Sequence, residues 1–152
     1  IGESLTNIIW APLADGIKSI SLSANWMWPC GNEGEDSRLY DAVSACSRFA
    51  IELGINVPTG KDSLSMVQKY DSIKVKSPGT VIISASGHCD DVRKVVKPVL
   101  NKNIGDIYYI DMSFDELKLG GSSFAQTQNK IGTNAPTIND SKKFKDAFDP
   151  KV

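Results

Sequence analysis

The chain has 152 residues, 41% hydrophobic and 23% charged, a balance that builds one ordinary domain, or one small domain and part of a second, and excludes a disordered or fibrous chain. Lys and Arg (17) nearly match Asp and Glu (18), so no global field favours a nucleic acid, although a local basic site for a small phosphate stays open. No apolar run reaches the ~20 residues that a membrane-spanning helix needs and no signal-peptide order appears; Cys30, Cys46 and Cys89, odd in number and widely spaced, fit free thiols in the cytoplasm better than disulfides.

In chain order, Leu5, Ile8, Ile9 and Leu13 form a short helical stripe that Pro12 and Gly16 end. Residues 17–28 alternate through Ile20, Leu22 and Ala24 and turn aromatic at Trp26 and Trp28, which predicts a strand entering a loop over residues 29–35. Residues 36–53 form the clearest helix. Leu39, Val43, Cys46, Ala50 and Leu53 share its apolar face, Tyr40 and Phe49 widen it, Asp36 is the expected N-cap and Gly54 the expected C-cap. Residues 55–58 read as a short strand feeding a turn at Gly60, and residues 64–70 as an extended continuation. Residues 73–75 and 80–86 read as further strands, separated by Pro78-Gly79.

Beyond His88 the texture changes. Residues 91–100 carry a helical pattern that Pro98 interrupts, and residues 107–112 form an apolar run read as a buried strand. Only Phe144, Ala147 and Phe148 suggest a helix in the polar tail. A boundary falls near residues 86–91, giving segments 1–88 and 89–152. The second holds too few elements to close a sheet by itself.

The chemistry concentrates in two clusters. Gly60-Lys61-Asp62-Ser63 combines a glycine that lets backbone N–H groups approach a phosphate, a cation to neutralise it and a hydroxyl to donate. It is not the Walker pattern, and an ordinary strand-end turn with solvated Lys and Asp accounts for the same residues. Glu3 and Asn7, four apart, share one face of a helix. Their oxygens suit a hard divalent cation, though a solvated surface pair is commonplace. Asn25 reaches a nucleotide or sugar hydroxyl in one reading and caps a turn in the other.

Trp26, Met27 and Trp28 read as packing against a partner domain rather than as a base-stacking platform. Gly120-Gly121-Ser122 either presents helix amides to a phosphate or joins a C-cap to an N-cap. His88 and Cys89 lack a second ligand at zinc spacing, and adjacent strand residues project to opposite faces, against a Cys–His hydrolase. No catalytic nucleophile or base is assigned.

Four blocks fall in one order: Glu3-Ser4-Leu5-Thr6-Asn7; Leu22-Ser23-Ala24-Asn25-Trp26-Met27; Gly34-Glu35-Asp36 with Leu39-Tyr40-Asp41-Ala42-Val43; and Gly60-Lys61-Asp62-Ser63-Leu64-Ser65-Met66. Together they resemble the second synthetase half of the long-chain phosphoribosylformylglycinamidine synthases, in the aminoimidazole ribonucleotide synthetase superfamily. The resemblance runs to about residue 90 and more weakly to Leu119-Gly120-Gly121-Ser122.

It implies an α+β fold: a synthetase N-terminal domain with a mixed or antiparallel sheet and helices on one side, contributing to a barrel shared with a partner, then the start of a smaller α/β C-terminal domain. It also implies an ATP- and glutamine-dependent ligase of purine biosynthesis, acting on formylglycinamide ribonucleotide. Gly60, Lys61 and Asp62 would bind nucleotide, Ser63 and Asn25 the substrate, and Glu3 and Asn7 the Mg²⁺ that accompanies ATP or ADP. The partners would be the other synthetase half and the glutaminase of the same polypeptide. Because that family's enzymes are several times longer, the chain is expected to be a fragment, inactive alone, with an exposed sheet edge and an exposed surface at residues 26–28. The alternatives are a non-turnover nucleotide-binding half and another synthetase or kinase of the superfamily.

Overall fold

The computed structural model describes residues 1–102 and 105–148. Two compact units emerge, residues 1–96 and 97–152.

In the first unit a seven-residue helix, α1 (Gly2–Ile8), buries Leu5. It stops short of the stripe expected to run to Leu13. A 3₁₀ turn at Gly16–Ser19 precedes β1 (Ser21–Met27), so the strand begins later than the alternation suggests. Within β1 the side chains of Leu22, Ala24 and Trp26 are buried and those between them are not, as a two-faced strand requires. Trp26 and Trp28 join Ala24 in a core cluster against Leu39, Ala42, Cys46 and Ile83. The exposed surface expected at residues 26–28 is therefore absent at the tryptophans, which are 9% and 6% exposed.

Helix α2 (Glu35–Leu53) is capped by glycine at both ends. Gly34, at φ 76°, holds the N-cap position expected of Asp36, whose carboxylate instead accepts from the Gly31 N–H at 2.9 Å. Gly54 ends the helix in the left-handed conformation, its N–H donating to Ala50 and Ile51 carbonyls, and Ile55 N–H returns to Ala50 O at 3.0 Å. The buried stripe passes through Ala42 rather than Val43. Tyr40 and Val43 are 73% and 42% exposed: at 100° per residue Tyr40 falls well outside the line through Leu39, Cys46, Ala50 and Leu53, while Val43 and Ala42 border it on opposite sides and the core lies on the side of Ala42.

Strand β2 (Asn56–Ser63) pairs parallel to β1, and β5 (Thr80–Ser86) pairs antiparallel on its other side, giving a mixed sheet of order β2-β1-β5. β2 runs straight through Gly60, so the expected turn there is a strand. Two features explain this. Pro58 lacks an N–H and is tolerated because β2 is an edge and the β1–β2 register shifts there, between the Ser21–Asn56 and Ser23–Thr59 pairs, and Gly60 lies so close to Ala24 that a methyl group there would overlap the Ala24 carbonyl. The glycine serves strand approach, not a turn. Strands β3 (Val67–Tyr70) and β4 (Ile73–Lys76) form a separate hairpin closed by Asp71, at φ 44°. The 91–100 helix reduces to a 3₁₀ turn at Val92–Lys94 with Asp91 as its cap.

In the second unit α3 (Ser123–Thr127) starts from Ser122, whose hydroxyl accepts from Ala125 N–H at 3.1 Å, the N-cap alternative for Gly120-Gly121-Ser122. Helix α4 (Ser141–Phe148) follows Asp140, whose carboxylate accepts from Lys143 N–H, and it buries Phe144. The buried strand expected over residues 107–112 is not formed. Ile107, Tyr108, Tyr109 and Ile110 are 77–83% exposed. Among the described residues no strand pairs with them, and a lone strand leaves its backbone groups unbonded. Asp115 organises this unit instead, accepting from Lys118 Nζ at 2.6 Å and from Thr137 Oγ1 at 2.5 Å.

Candidate functional site

The register of the sheet determines which predicted residues meet. Asn25 on β1 pairs with Lys61 on β2 and with Ile82 on β5, and paired residues project to the same face. Lys61, Asn25 and Ile82 therefore form one row across the sheet. Met27, Ser63 and Thr80 form the next row on that face. It is opposite the buried face of Leu22, Ala24 and Trp26, so its polar groups face away from the core.

The same alternation divides the Gly60–Ser63 cluster. Lys61 and Ser63 share the face of Asn25, whereas Asp62 pairs with Trp26 and projects to the other side. Among the described residues Lys61 has no carboxylate partner; its ammonium folds back onto Asp62 O at 3.1 Å. That bond to a neutral carbonyl leaves its charge available to an anion.

Glu3 and Asn7 are brought together, as their helical spacing predicts. With Ser4 they line a recess of about 400 Å³ whose other wall is Val81, Ile82 and Ile83 of β5. Ser4 Oγ donates to Ile1 O at 2.8 Å, leaving its lone pairs free. A carboxylate, an amide oxygen and a hydroxyl are all hard donors, so these residues fit Mg²⁺. A single carboxylate suits an ion that keeps water and phosphate ligands rather than one caged by protein alone. The recess lies at the β5 side of the sheet and Lys61 at the β2 side, two strand spacings away, roughly 10 Å. Ile82 belongs both to the recess and to the row of Asn25 and Lys61. Ile82 thus links the two clusters into a strip that turns around the β5 edge, because Val81 and Ile83 of the recess pair with Trp26 and Ala24 of the buried face.

The thiols play no part in this strip. Burial pushes the Cys46 thiol up, and burial together with the Asp36 carboxylate does the same for Cys30. A raised thiol pKa is the reverse of what a nucleophile needs.

Residues 1–88 match the FGAR-AT PurM_N-like domain. The chain belongs to that family. The FGAR-AT PurM_N-like match spans all five strands, α1 and α2, and every residue of the strip. Over 151 residues, 98% of its length, the chain is 40% identical to a probable phosphoribosylformylglycinamidine synthase, chloroplastic/mitochondrial, of Arabidopsis thaliana. Over 141 residues, 91% of its length, it is 43% identical to a probable phosphoribosylformylglycinamidine synthase of Caenorhabditis elegans. It spans 11% of the length of each relative. No helix among the described residues is long and apolar enough to cross a membrane.

Proposed function

We propose that this chain is a piece of the second synthetase half of a phosphoribosylformylglycinamidine synthase, and that its outward sheet face contributes to an ATP-dependent amidation. The overall reaction takes formylglycinamide ribonucleotide, ATP and glutamine to formylglycinamidine ribonucleotide, ADP, phosphate and glutamate. The γ-phosphoryl group passes to the substrate amide oxygen, and ammonia released from glutamine then displaces it as phosphate. The observation that carries the reading is the row of Lys61, Asn25 and Ile82, which leads from a cation with no carboxylate partner among the described residues to the edge strand that walls the Glu3 and Asn7 recess.

In this reading Lys61 turns its ammonium from Asp62 O to a phosphate oxygen, Ser63 donates its hydroxyl to the substrate, and Asn25 holds a sugar hydroxyl. Gly60 keeps β2 close to β1 so that these groups stay in register. Glu3 and Asn7 hold Mg²⁺, which when bound neutralises phosphate charge. Asp62, on the opposite face, is the member of the predicted nucleotide set that supports it least.

The remaining parts come from the same polypeptide. Segments 1–88 and 89–152 would correspond to a partial N-terminal and a truncated C-terminal synthetase domain, and the edge of β2, unpaired among the described residues, is where a shared barrel would continue. The free thiols support a reducing compartment, the cytoplasm in our reading, although the name of the Arabidopsis relative places that protein in organelles.

A second reading is favoured by the separation of the clusters to opposite sides of the sheet: the Glu3 and Asn7 recess holds a nucleotide that is not turned over, while Lys61 and Ser63 serve the working site. Titration calorimetry of Mg·ADP into the chain, repeated with Glu3→Ala and Lys61→Ala, separates these. Loss of binding in both variants supports one continuous site, and loss only in Glu3→Ala supports the auxiliary site. Wild-type affinity in both variants rejects the strip as a nucleotide site.

A further inference from the structure

Past the carboxyl ends of the parallel strands β1 and β2, the backbone does not simply diverge. Trp28 N–H donates to Ser63 O, Cys30 N–H to Leu64 O and Met66 N–H to Trp28 O, so the two strand exits stay bonded and support the β3–β4 hairpin beside the loop that leads to α2. Between loop and hairpin lies an open recess of about 480 Å³, lined by Cys30, Asn32, Ser65, Lys69 and Lys74 among others. Its volume falls within the ~300–1,000 Å³ of small-molecule pockets.

Its electrostatics are unusual for a hairpin. Lys69 and Lys74 are directly paired across the strands, an arrangement of like charges that is destabilising unless something else uses it. Among the described residues neither forms an ion pair. Lysines that merely protect a sheet edge need no fixed position. Lys74 has one: its ammonium donates to Asn32 Oδ1, while Asn32 Nδ2 donates to Pro29 O at 2.6 Å and to Cys30 O at 3.4 Å. The loop backbone thus holds Asn32, and Asn32 holds Lys74, through a neutral acceptor that leaves the positive charge uncompensated. Two carboxylates act on the recess lining at Cys30, Asp36 and Glu35; Asp36 is bonded to Gly31 N–H, and Glu35 is held in an ion pair with Arg38. With Glu35 neutralised by Arg38, two lysines stand against Asp36 and leave the recess with an excess of positive charge.

We propose that Lys69 and Lys74, the latter positioned by Asn32, form a binding site for a phosphate monoester, separate from the Lys61 and Glu3 strip. The recess exceeds what a bare phosphate fills, and Ser65 and Gln68 add polar groups beside the lysines, so the ligand is a phosphate carried on a small polar body such as a sugar. This assignment does not depend on the reaction proposed above, because neither lysine nor Asn32 belongs to the strip.

The test is calorimetric titration of ribose 5-phosphate, inorganic phosphate and ribose into the whole chain, wild type and with Lys69→Gln, Lys74→Gln, Asn32→Ala and, in the second unit, Lys145→Gln. Circular dichroism establishes that each variant is folded. The expected result is that ribose 5-phosphate binds more tightly than phosphate, ribose does not bind, and each lysine substitution in the recess weakens the ester roughly tenfold, the loss of one charge-assisted hydrogen bond. Asn32→Ala weakens it less, and Lys145→Gln leaves it unchanged. Absence of binding by the folded wild type overturns the site, as does equal affinity in the recess variants or an equal loss in Lys145→Gln. Equal affinity for phosphate and its ester overturns the ligand class.

Discussion

Gly60→Ala tests whether the sheet, rather than a turn, sets the geometry of the strip. A methyl carbon at position 60 would overlap Ala24 O and lie 3.2 Å from Ala24 C. Both are backbone atoms of β1, which cannot rotate away as a side-chain tip can. Relieving the overlap requires β1 and β2 to part by roughly 1 Å, which stretches a neighbouring ladder bond of ~2.9 Å past the ~3.2 Å upper range for N–H···O. Losing two such bonds costs roughly 1–3 kcal/mol, offset by about 0.4–1 kcal/mol because alanine restricts the unfolded chain. The net loss of about 1–2 kcal/mol lowers the melting midpoint of a unit of 96 residues by roughly 5–15 °C.

Thermal unfolding followed by far-ultraviolet circular dichroism measures this, with Gly87→Ala as the comparator. At Gly87 the nearest atom is Leu13 Cδ2 at 3.1 Å, a flexible tip, and the midpoint should move by less than half as much. A Gly60→Ala midpoint that matches wild type would refute the close-approach argument and return Gly60 to a turn role. The same variant should weaken any ligand bound through Lys61 and Ser63, since both follow β2.

Trp28→Phe removes the indole N–H that donates to Glu35 O at 3.0 Å and trims a core ring, so chemical denaturation should show a loss of roughly 2–3 kcal/mol; a loss below about 0.5 kcal/mol would mean that the bond does not tie β1 to α2. The hydrogen bonds from Lys118 and then Thr137 lower the Asp115 carboxyl from 3.8 to about 2. Because its folded value lies below the unfolded one, its stabilisation is complete above about pH 4 and is lost as pH falls towards 2. The thermal midpoint should fall over that window, and Asp115→Asn should remove this part of the pH dependence; an identical profile in Asp115→Asn rejects the clip. Replacing Tyr108 and Tyr109 together by Ser should leave the melting midpoint within the scatter expected of surface changes, about 0.5 kcal/mol each, while reducing binding of a hydrophobic dye. A large drop in the midpoint would show that the two rings are buried after all.

Where the sequence was legible, one element carried its own instruction. The alternation of Leu22, Ala24 and Trp26, the Leu39–Leu53 stripe and the left-handed Gly54 each specify local structure without help from distant residues. The Glu3 and Asn7 pair was legible for the same reason, since four residues along a helix suffice to juxtapose them. What was not legible depended on pairing. Gly60 looks like a turn residue because glycine is equally suited to turns and to close backbone approach, and only the position of Ala24 decides. Residues 107–112 have the apolarity of a buried strand, but a strand exists only where another is available to bond. The pairing of Lys69 with Lys74 was hidden likewise, because nothing in a run of separate lysines says that a hairpin will place them opposite each other.

The consequence reaches from register to chemistry. Side chains on β1 and β2 alternate with a period of two, so a slip of one residue in the parallel pairing would exchange Lys61 and Ser63 for Asp62 on the face of Asn25. That substitution would turn a cationic, donor-bearing face into an acidic one and abolish its use for phosphate. Burial of Trp26 and Trp28 on the opposite face anchors β1 against such a slip, and the approach of Gly60 to Ala24 anchors β2 to it. The core residues thus determine which charges reach the outer face, although none of them would touch a ligand there.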